Sequence, residues 1–93
     1  MITIDLQSMQ LRITRHAYKR HRQRVGRLPP HLIQQRCQTA LSLGHYRHGE
    51  GLIRLCGIWW GCVVQDDAVV LITCYGRQRY DMIEERRHHA CQA

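Results

Sequence analysis

The sequence predicts a single α+β domain in which an N-terminal helical hairpin packs on a four-stranded antiparallel sheet, followed by a short C-terminal helix. The chain has 93 residues, enough for one hydrophobic core and too few for two. Helix start and stop signals bracket two segments before Gly44, and short runs of aromatic and β-branched residues follow it. This change of period separates a helical half from a sheet half.

The N-terminal residues 1–11 carry a weak strand pattern. Ile2, Ile4 and Leu6 alternate with polar residues, as in a strand that buries one face. The run is short, and a loose arm fits the same residues.

The first helix is predicted over residues 15–25. Thr14 is a good N-cap because its hydroxyl can accept a hydrogen bond from a free N–H of the first turn. Ile13 and Tyr18 stand at the two positions of a hydrophobic staple, and Gly26 suits the left-handed residue that ends many helices.

The second helix is predicted to open at Pro29 and Pro30 and to end at Gly44. Proline suits a first helical turn because its missing N–H would have no partner there. The apolar residues between these signals recur at helical spacing: Leu32, Ile33, Cys37, Ala40 and Leu41. The two helices are therefore expected to form a hairpin.

Four strands are predicted in the second half, over residues 45–47, 52–56, 58–65 and 68–75. Tight turns containing Gly or Asp connect them. Such short connections produce an antiparallel meander. The last two runs are apolar on both faces and are predicted to be central.

The chain reads as one domain over residues 1–93. Residues 12–76 form its core, and residues 77–93 form a C-terminal helical segment, with a helix over residues 80–89. Charged residues fill the end of that segment, which is typical of an exposed helix terminus.

Positive charge is concentrated in the first half of the chain. Fourteen Lys and Arg residues stand against seven Asp and Glu residues, for a formal net charge of +7. From Leu6 to Gly49 there is no acidic residue. A surface of one sign attracts polyanions, so the phosphate backbone of a nucleic acid is the predicted partner. A basic face that only keeps the protein soluble is the alternative.

The cysteines are predicted to be reduced and structural. Three lie within apolar strand-like runs, where a free cysteine behaves as a small hydrophobe; zinc binding and disulfides are the alternatives. The five form an odd set without a C-x-x-C motif: Cys37, Cys56, Cys62, Cys74 and Cys91. No metal or other cofactor is predicted.

No membrane segment or signal peptide is predicted. The sequence lacks a run of about 20 apolar residues and the basic and apolar regions of a secretory signal. A cytoplasmic protein is therefore expected.

A candidate catalytic cluster lies on the first helix. His16, Arg20 and Arg24 recur every four residues and share one stripe beside the apolar edge of the helix. Two arginines can hold phosphate oxygens, and a histidine can exchange a proton near neutral pH. These groups suffice for metal-independent RNA cleavage. In the alternative interpretation the arginines pair with carboxylates of the sheet turns, and His16 is an ordinary helix residue.

Thr73 and Tyr75 on the last strand form the second part of the candidate site. Counted by strict alternation, they share one sheet face with Val69 and Leu71. Their hydroxyls could orient a phosphate or donate a proton, although both residue types also favour strands by propensity alone.

Further cations are predicted to contact the nucleic-acid backbone. They are Arg15, Lys19, Arg22, Arg27, Arg47 and Arg54. Trp59 and Trp60 offer a surface on which bases could stack. Neighbouring strand residues point to opposite faces, so at most one Trp is expected in a site and the other in the core.

Two motifs resemble a family of small bacterial and phage domains. The first helix carries His-Ala-x-x-Arg-x-x-x-Arg, beginning at His16, and the closing strand carries Thr73 and Tyr75. That family is similar to the RelE-like toxins and to the wider superfamily of barnase, EndoU and colicin ribonucleases. The resemblance covers about residues 12–76 and implies two helices on a four-stranded antiparallel sheet.

The resemblance also implies RNA cleavage without a metal ion. His16 would be the general acid and base, Arg20 and Arg24 the phosphate clamps, and Thr73 and Tyr75 the strand partners. A toxin of this type would need an acidic neutralising protein. The alternative is a non-catalytic phage or bacterial modulator that binds nucleic acid or a host nucleoprotein, and a structural or protein-interaction role is the third class.

Overall fold

The computed structural model describes residues 6–77. Both predicted helices and all four predicted strands of this range form close to their expected bounds. In chain order the elements are a 3-10 turn (Leu6–Ser8), β1 (Gln10–Ile13), α1 (Arg15–Arg24), α2 (Pro30–Ser42), β2 (Tyr46–Gly49), β3 (Leu52–Leu55), β4 (Ile58–Gln65) and β5 (Ala68–Gly76). The helix predicted over residues 80–89 lies outside the described residues. Neither described helix is long and apolar enough to cross a membrane.

The α+β class is confirmed, and the sheet has one strand more than predicted. Its strands lie in the order β1-β5-β4-β3-β2. Strands β2 to β5 form the predicted antiparallel meander. β1 joins the edge parallel to β5, with Gln10 opposite Ala68 and Ile13 opposite Leu71. The sheet is therefore mixed, because the end of the N-terminal segment pairs with the last strand of the core.

Two glutamines of α2 hold the outer side of β1. The N–H of Leu11 donates to Oε1 of Gln38 at 2.8 Å, and Nε2 of Gln34 donates to the Leu11 carbonyl at 2.6 Å. Nε2 of Gln38 also donates to the carbonyl of Met9 at 3.3 Å. These side chains replace a neighbouring strand, so this edge of the sheet is covered rather than open for pairing.

α1 begins beside β5, where β1 ends. Oγ1 of Thr14 accepts from the N–H of Ala17 at 3.2 Å, which confirms the predicted N-cap. The N–H of Thr14 donates to the Leu71 carbonyl at 3.0 Å, and its hydroxyl donates to the Ile72 carbonyl at 3.3 Å. One residue thus starts the helix and attaches it to the strand.

The main hydrophobic core lies between the helices and one side of the sheet, the helix face. Ala17 and His21 of α1 are buried there, together with the fully buried Trp60 of β4. The buried residues of α2 are Ile33, Cys37, Ala40 and Leu41. The opposite side, the second face, carries a smaller cluster of Leu52, Trp59 and Tyr75.

An irregularity in β5 at Ile72 changes which face of the sheet its later side chains occupy. Trp60 pairs with Cys74 and Gly61 with Thr73, while the next residue of β4 already pairs with Leu71. Ile72, which lies between Leu71 and Thr73, therefore has no partner on β4, as in a β-bulge. The expectation that Thr73 and Tyr75 share a face with Leu71 is wrong, because the unpaired Ile72 lies between Leu71 and Thr73 and reverses the alternation there.

Gly61 shows how closely the side chains pack on the second face. A Cβ atom at this position would lie 2.8 Å from Cγ2 of Thr73 and 3.4 Å from Cε2 of Tyr75. Glycine here lets the bulged strand bring both side chains across β4.

The described cysteines are free thiols, and most are buried as predicted. Burial raises the pKa of Cys37 to about 12 and that of Cys62 to about 11, so both stay protonated. Cys74 is also buried. Cys56 differs from the strand prediction, because it lies exposed in the β3–β4 turn with φ of 55°.

The Gly61→Ala variant is expected to lose about 1–3 kcal/mol of unfolding free energy, because its methyl group would press on the Thr73 methyl group. Adding Thr73→Ser removes that methyl group and should restore part of the loss. Gly49→Ala is the control, since nothing lies within 4 Å of the added atom. Urea denaturation followed by circular dichroism measures all three. Equal losses for Gly49→Ala and Gly61→Ala would contradict this account.

Candidate nucleic-acid interface

Four of the predicted phosphate contacts share an exposed surface on α1 and the loop after it. The side chains of Arg15, Lys19, Arg22 and Arg27 are all exposed. At about 100° per residue, the three on α1 lie on the side opposite the buried Ala17 and His21. These four residues are termed the helix cations below.

The described carboxylates lie at the end of the sheet away from the end of α1. Glu50 lies in the β2–β3 turn, and Asp66 and Asp67 lie in the β4–β5 turn. In an antiparallel meander both turns belong to the same end of the sheet. α1 instead runs from Thr14, at mid-strand, towards the opposite end, where Arg24 meets β5. Charge is therefore separated along the molecule.

The predicted stripe of His16, Arg20 and Arg24 flanks the buried side of α1 rather than facing the core. His16 is exposed, and Arg20 is half-buried with its Nη1 donating to Oε1 of Gln23 at 3.0 Å. Nη1 of Arg24 donates to the Cys74 carbonyl at 3.2 Å. The hydrogen bonds of the two arginines therefore go to a side-chain amide and a main-chain carbonyl, and His16 and Arg20 remain reachable from solvent.

The structure brings α1 and β5 together but separates the predicted side chains. Arg24 bonds the carbonyl of Cys74, which stands between Thr73 and Tyr75 in the chain. The side chains of Thr73 and Tyr75, however, emerge on the second face and are half-buried there. A single pocket holding His16, Thr73 and Tyr75 is therefore not formed by the described residues.

Arg47 and Arg54 lie side by side on the second face. They are directly opposite each other on β2 and β3, and Arg54 is opposite Trp59 on β4. Both arginines are exposed. Like charges placed opposite each other across a sheet destabilise it, and an anion between them would relieve the repulsion. The predicted cations thus form two separate groups, one on each side of the sheet.

The two tryptophans divide as predicted between the faces of the sheet. Trp60 is 0% exposed in the main core, and Trp59 is on the second face. Trp59 is itself only 7% exposed, because it packs with Leu52 and Tyr75. Neither ring therefore presents a free face for a base in this conformation.

Sequence reasoning missed a buried histidine. His21 is 2% exposed and stacks on Trp60, with 5.6 Å between ring centroids and 14° between ring planes. Its position four residues after Ala17 and four before Val25 was the available signal, because that spacing places it in the middle of the apolar edge. Because histidine is a polar residue, the hydrophobic pattern did not predict its burial.

The His21–Trp60 pair leaves two buried nitrogen atoms unsatisfied. Nδ1 of His21 and Nε1 of Trp60 have no hydrogen-bond partner among the described residues. Burial lowers the pKa of His21 below its ordinary value, a backbone hydrogen bond with Gly26 opposes this shift, and the charge of Arg77 adds to it. The imidazole is therefore held neutral at physiological pH.

Within residues 6–77 no group of three or more His, Cys, Asp or Glu side chains is placed to hold a metal ion. Comparison with known protein families, with curated proteins and with solved structures finds no match for this chain. The candidate interface therefore depends on the charge and geometry described above.

The buried His21 is expected to make folding pH-dependent. Because its folded pKa lies below the unfolded value of about 6.5, its contribution is complete above about pH 6.5 and is lost as the pH falls below it. The urea midpoint of the wild type should therefore drop more between about pH 7.5 and about pH 5 than that of His21→Phe. The exposed His16→Gln variant is the control and should follow the wild type; an undiminished drop in His21→Phe would exclude His21 as the cause.

Proposed function

We propose that this protein is an RNA-binding domain of RelE-like architecture that engages the phosphate backbone through the helix cations. One observation carries the proposal: Arg15, Lys19, Arg22 and Arg27 are exposed together in a part of the chain that holds no acidic residue from Leu6 to Gly49. A surface that served solubility alone would not need this separation of charge.

The geometry of the helix cations supports contact with successive phosphates. Arg15, Lys19 and Arg22 recur at intervals of three and four residues on one side of α1, so they follow one line along the helix. Arginine can hold two phosphate oxygens at once, and lysine adds a mobile point charge. An extended single strand could therefore lie along α1 and continue past Arg27.

The order of the elements is consistent with the proposed architecture. A pair of helices precedes an antiparallel meander, and both helices contribute to the core on the same face of the sheet. β1 extends this arrangement at the edge. A cytoplasmic location and an acidic neutralising protein belong to the same proposal, since a strongly basic surface suits an acidic partner.

Metal-independent RNA cleavage is the second candidate function. It is favoured by His16 and Arg20, which lie on successive turns of α1 and are both reachable from solvent. Cleavage would need His16 to take the proton of the ribose 2′-hydroxyl as that oxygen bonds to phosphorus, and a guanidinium to stabilise the charged phosphate. The protonated His16 would then return the proton to the 5′-oxygen that leaves. Thr73 and Tyr75 lie on the second face, and this separation supports the binding proposal over cleavage.

The binding proposal predicts a steep dependence of RNA affinity on salt. Each phosphate contact to a single strand contributes about −0.7 to the slope of log K against log salt concentration. The Arg15→Ala/Lys19→Ala double variant should therefore reduce the slope by about 1.4 units in fluorescence anisotropy with a labelled single strand.

Arg12→Ala/Arg36→Ala is the matched control for charge. Both residues are exposed and lie outside the helix cations, so this pair removes the same charge and should change the slope less. Equal slopes for both double variants would show that only total charge matters. A flat salt response in the wild type would exclude the phosphate contacts.

Cleavage is tested with labelled RNA in EDTA. If His16 is the general base, His16→Ala should lower the cleavage rate by about 100-fold or more while RNA affinity stays nearly the same. His31→Ala, which alters an exposed histidine of α2, should cleave at the wild-type rate. Intact RNA in every lane, with salt-sensitive retention, would establish binding without cleavage; equal cleavage by His16→Ala and the wild type would remove His16 from the mechanism.

A further inference from the structure

A cleft of about 450 Å³ lies between α1, the loop after it and the start of α2. Its lining includes the buried His21 and Ile33, which form its floor, and the half-buried Tyr18. Gly26, with φ of 148°, turns the chain away from α1 so that residues 27–30 can form the opposite wall. The volume is within the range of small-ligand sites.

The wall of the cleft formed by residues 28–30 is apolar. Pro29 and Pro30 are exposed, and Leu28 is 39% exposed despite its apolar side chain. All three line the cleft together with Ile33. Proline rings and a leucine side chain form a surface against which a planar ring can lie.

Positive charge and an unsatisfied polar atom complete the lining. Arg22 and Arg27 belong to it and are exposed, so their guanidinium groups stand at the rim. His21 belongs to it and is 2% exposed, and its Nδ1 has no partner among residues 6–77. A buried polar atom without a partner is costly. Because Nδ1 is itself covered, a ligand recovers that cost when the His21 side chain moves so that Nδ1 reaches the cleft.

We propose that this cleft binds one nucleotide unit, with the base against the proline wall and the phosphate between Arg22 and Arg27. The base edge offers donors and acceptors that the neutral imidazole of His21 can pair with once its side chain moves so that Nδ1 reaches the cleft. A lone phosphate would leave the apolar wall unused, and a peptide built only of Asp and Glu has no planar ring to lie against it. The proposal rests on the proposed RNA binding and specifies where one residue of the strand, or a free mononucleotide, is held.

Calorimetric titration of the full chain with AMP and UMP tests the cleft. Both should bind at one site, and ribose 5-phosphate and uridine should each bind about tenfold more weakly, because each lacks one half of the contacts. Arg22→Ala/Arg27→Ala should weaken AMP binding by about tenfold, whereas the charge-matched Arg12→Ala/Arg36→Ala should weaken it by less than about twofold. Circular dichroism should show that both variants are folded.

Several results would overturn the cleft site. They are equal binding of ribose 5-phosphate and AMP, equal losses in the two double variants, and displacement of AMP by hexaglutamate as readily as by UMP. Displacement of AMP by a short RNA oligonucleotide would identify the occupant as part of a strand, and AMP binding that RNA does not displace would identify a free nucleotide. Both of these results support the cleft.

Failure of the cleft and failure of RNA binding can be told apart. If RNA is retained in a salt-sensitive manner but AMP and UMP do not bind, the cleft site is wrong and the proposed function stands. If neither RNA nor mononucleotides bind, the proposed function fails as well.

Discussion

The attachment of α1 to the edge of β5 is the interaction on which the rest of the structure depends. β1 covers β5 only as far as Leu71. From that point on, α1 takes over this edge. Thr14 donates hydrogen bonds to the carbonyls of Leu71 and Ile72, and Arg24 donates one to the carbonyl of Cys74. Each such hydrogen bond contributes about 1 kcal/mol net, and together they set the position and direction of the helix. Because Ala17 then faces the core, the opposite side of α1 must carry its cations outward.

The same attachment places a histidine in the core. With α1 held along β5, His21 lies over the ring of Trp60, and two ring nitrogens are buried without a hydrogen-bond partner in the part of the chain that the structure describes. The unsatisfied atoms reduce the free energy of unfolding, and the buried area of the stacked rings offsets part of that reduction. A core that tolerates this cost beside a basic cleft is consistent with a site whose polar atoms are satisfied by a ligand.

Much of the fold could be predicted because its signals are local. The cap at Thr14, the turn at Gly26 and the opening prolines of α2 each act within a few residues, and all lie where the pattern placed them. The added strand could not be predicted, since β1 is held by β5 and by Gln34 and Gln38 of α2, which are distant in sequence.

The sequence by itself determined the class, the approximate bounds of α1, α2 and the strands β2 to β5, and the long basic stretch without acids, because composition and period depend only on neighbouring residues. The tertiary structure alone decided which side chains meet. The bulge at Ile72 in β5 placed Thr73 and Tyr75 on the second face, and His21 packs inward on Trp60 while His16 lies in solvent. Strict alternation cannot show the facing of Thr73 and Tyr75, because an unpaired residue reverses the alternation. Helical spacing places His21 on the apolar edge of α1, but it cannot show that Trp60 packs there.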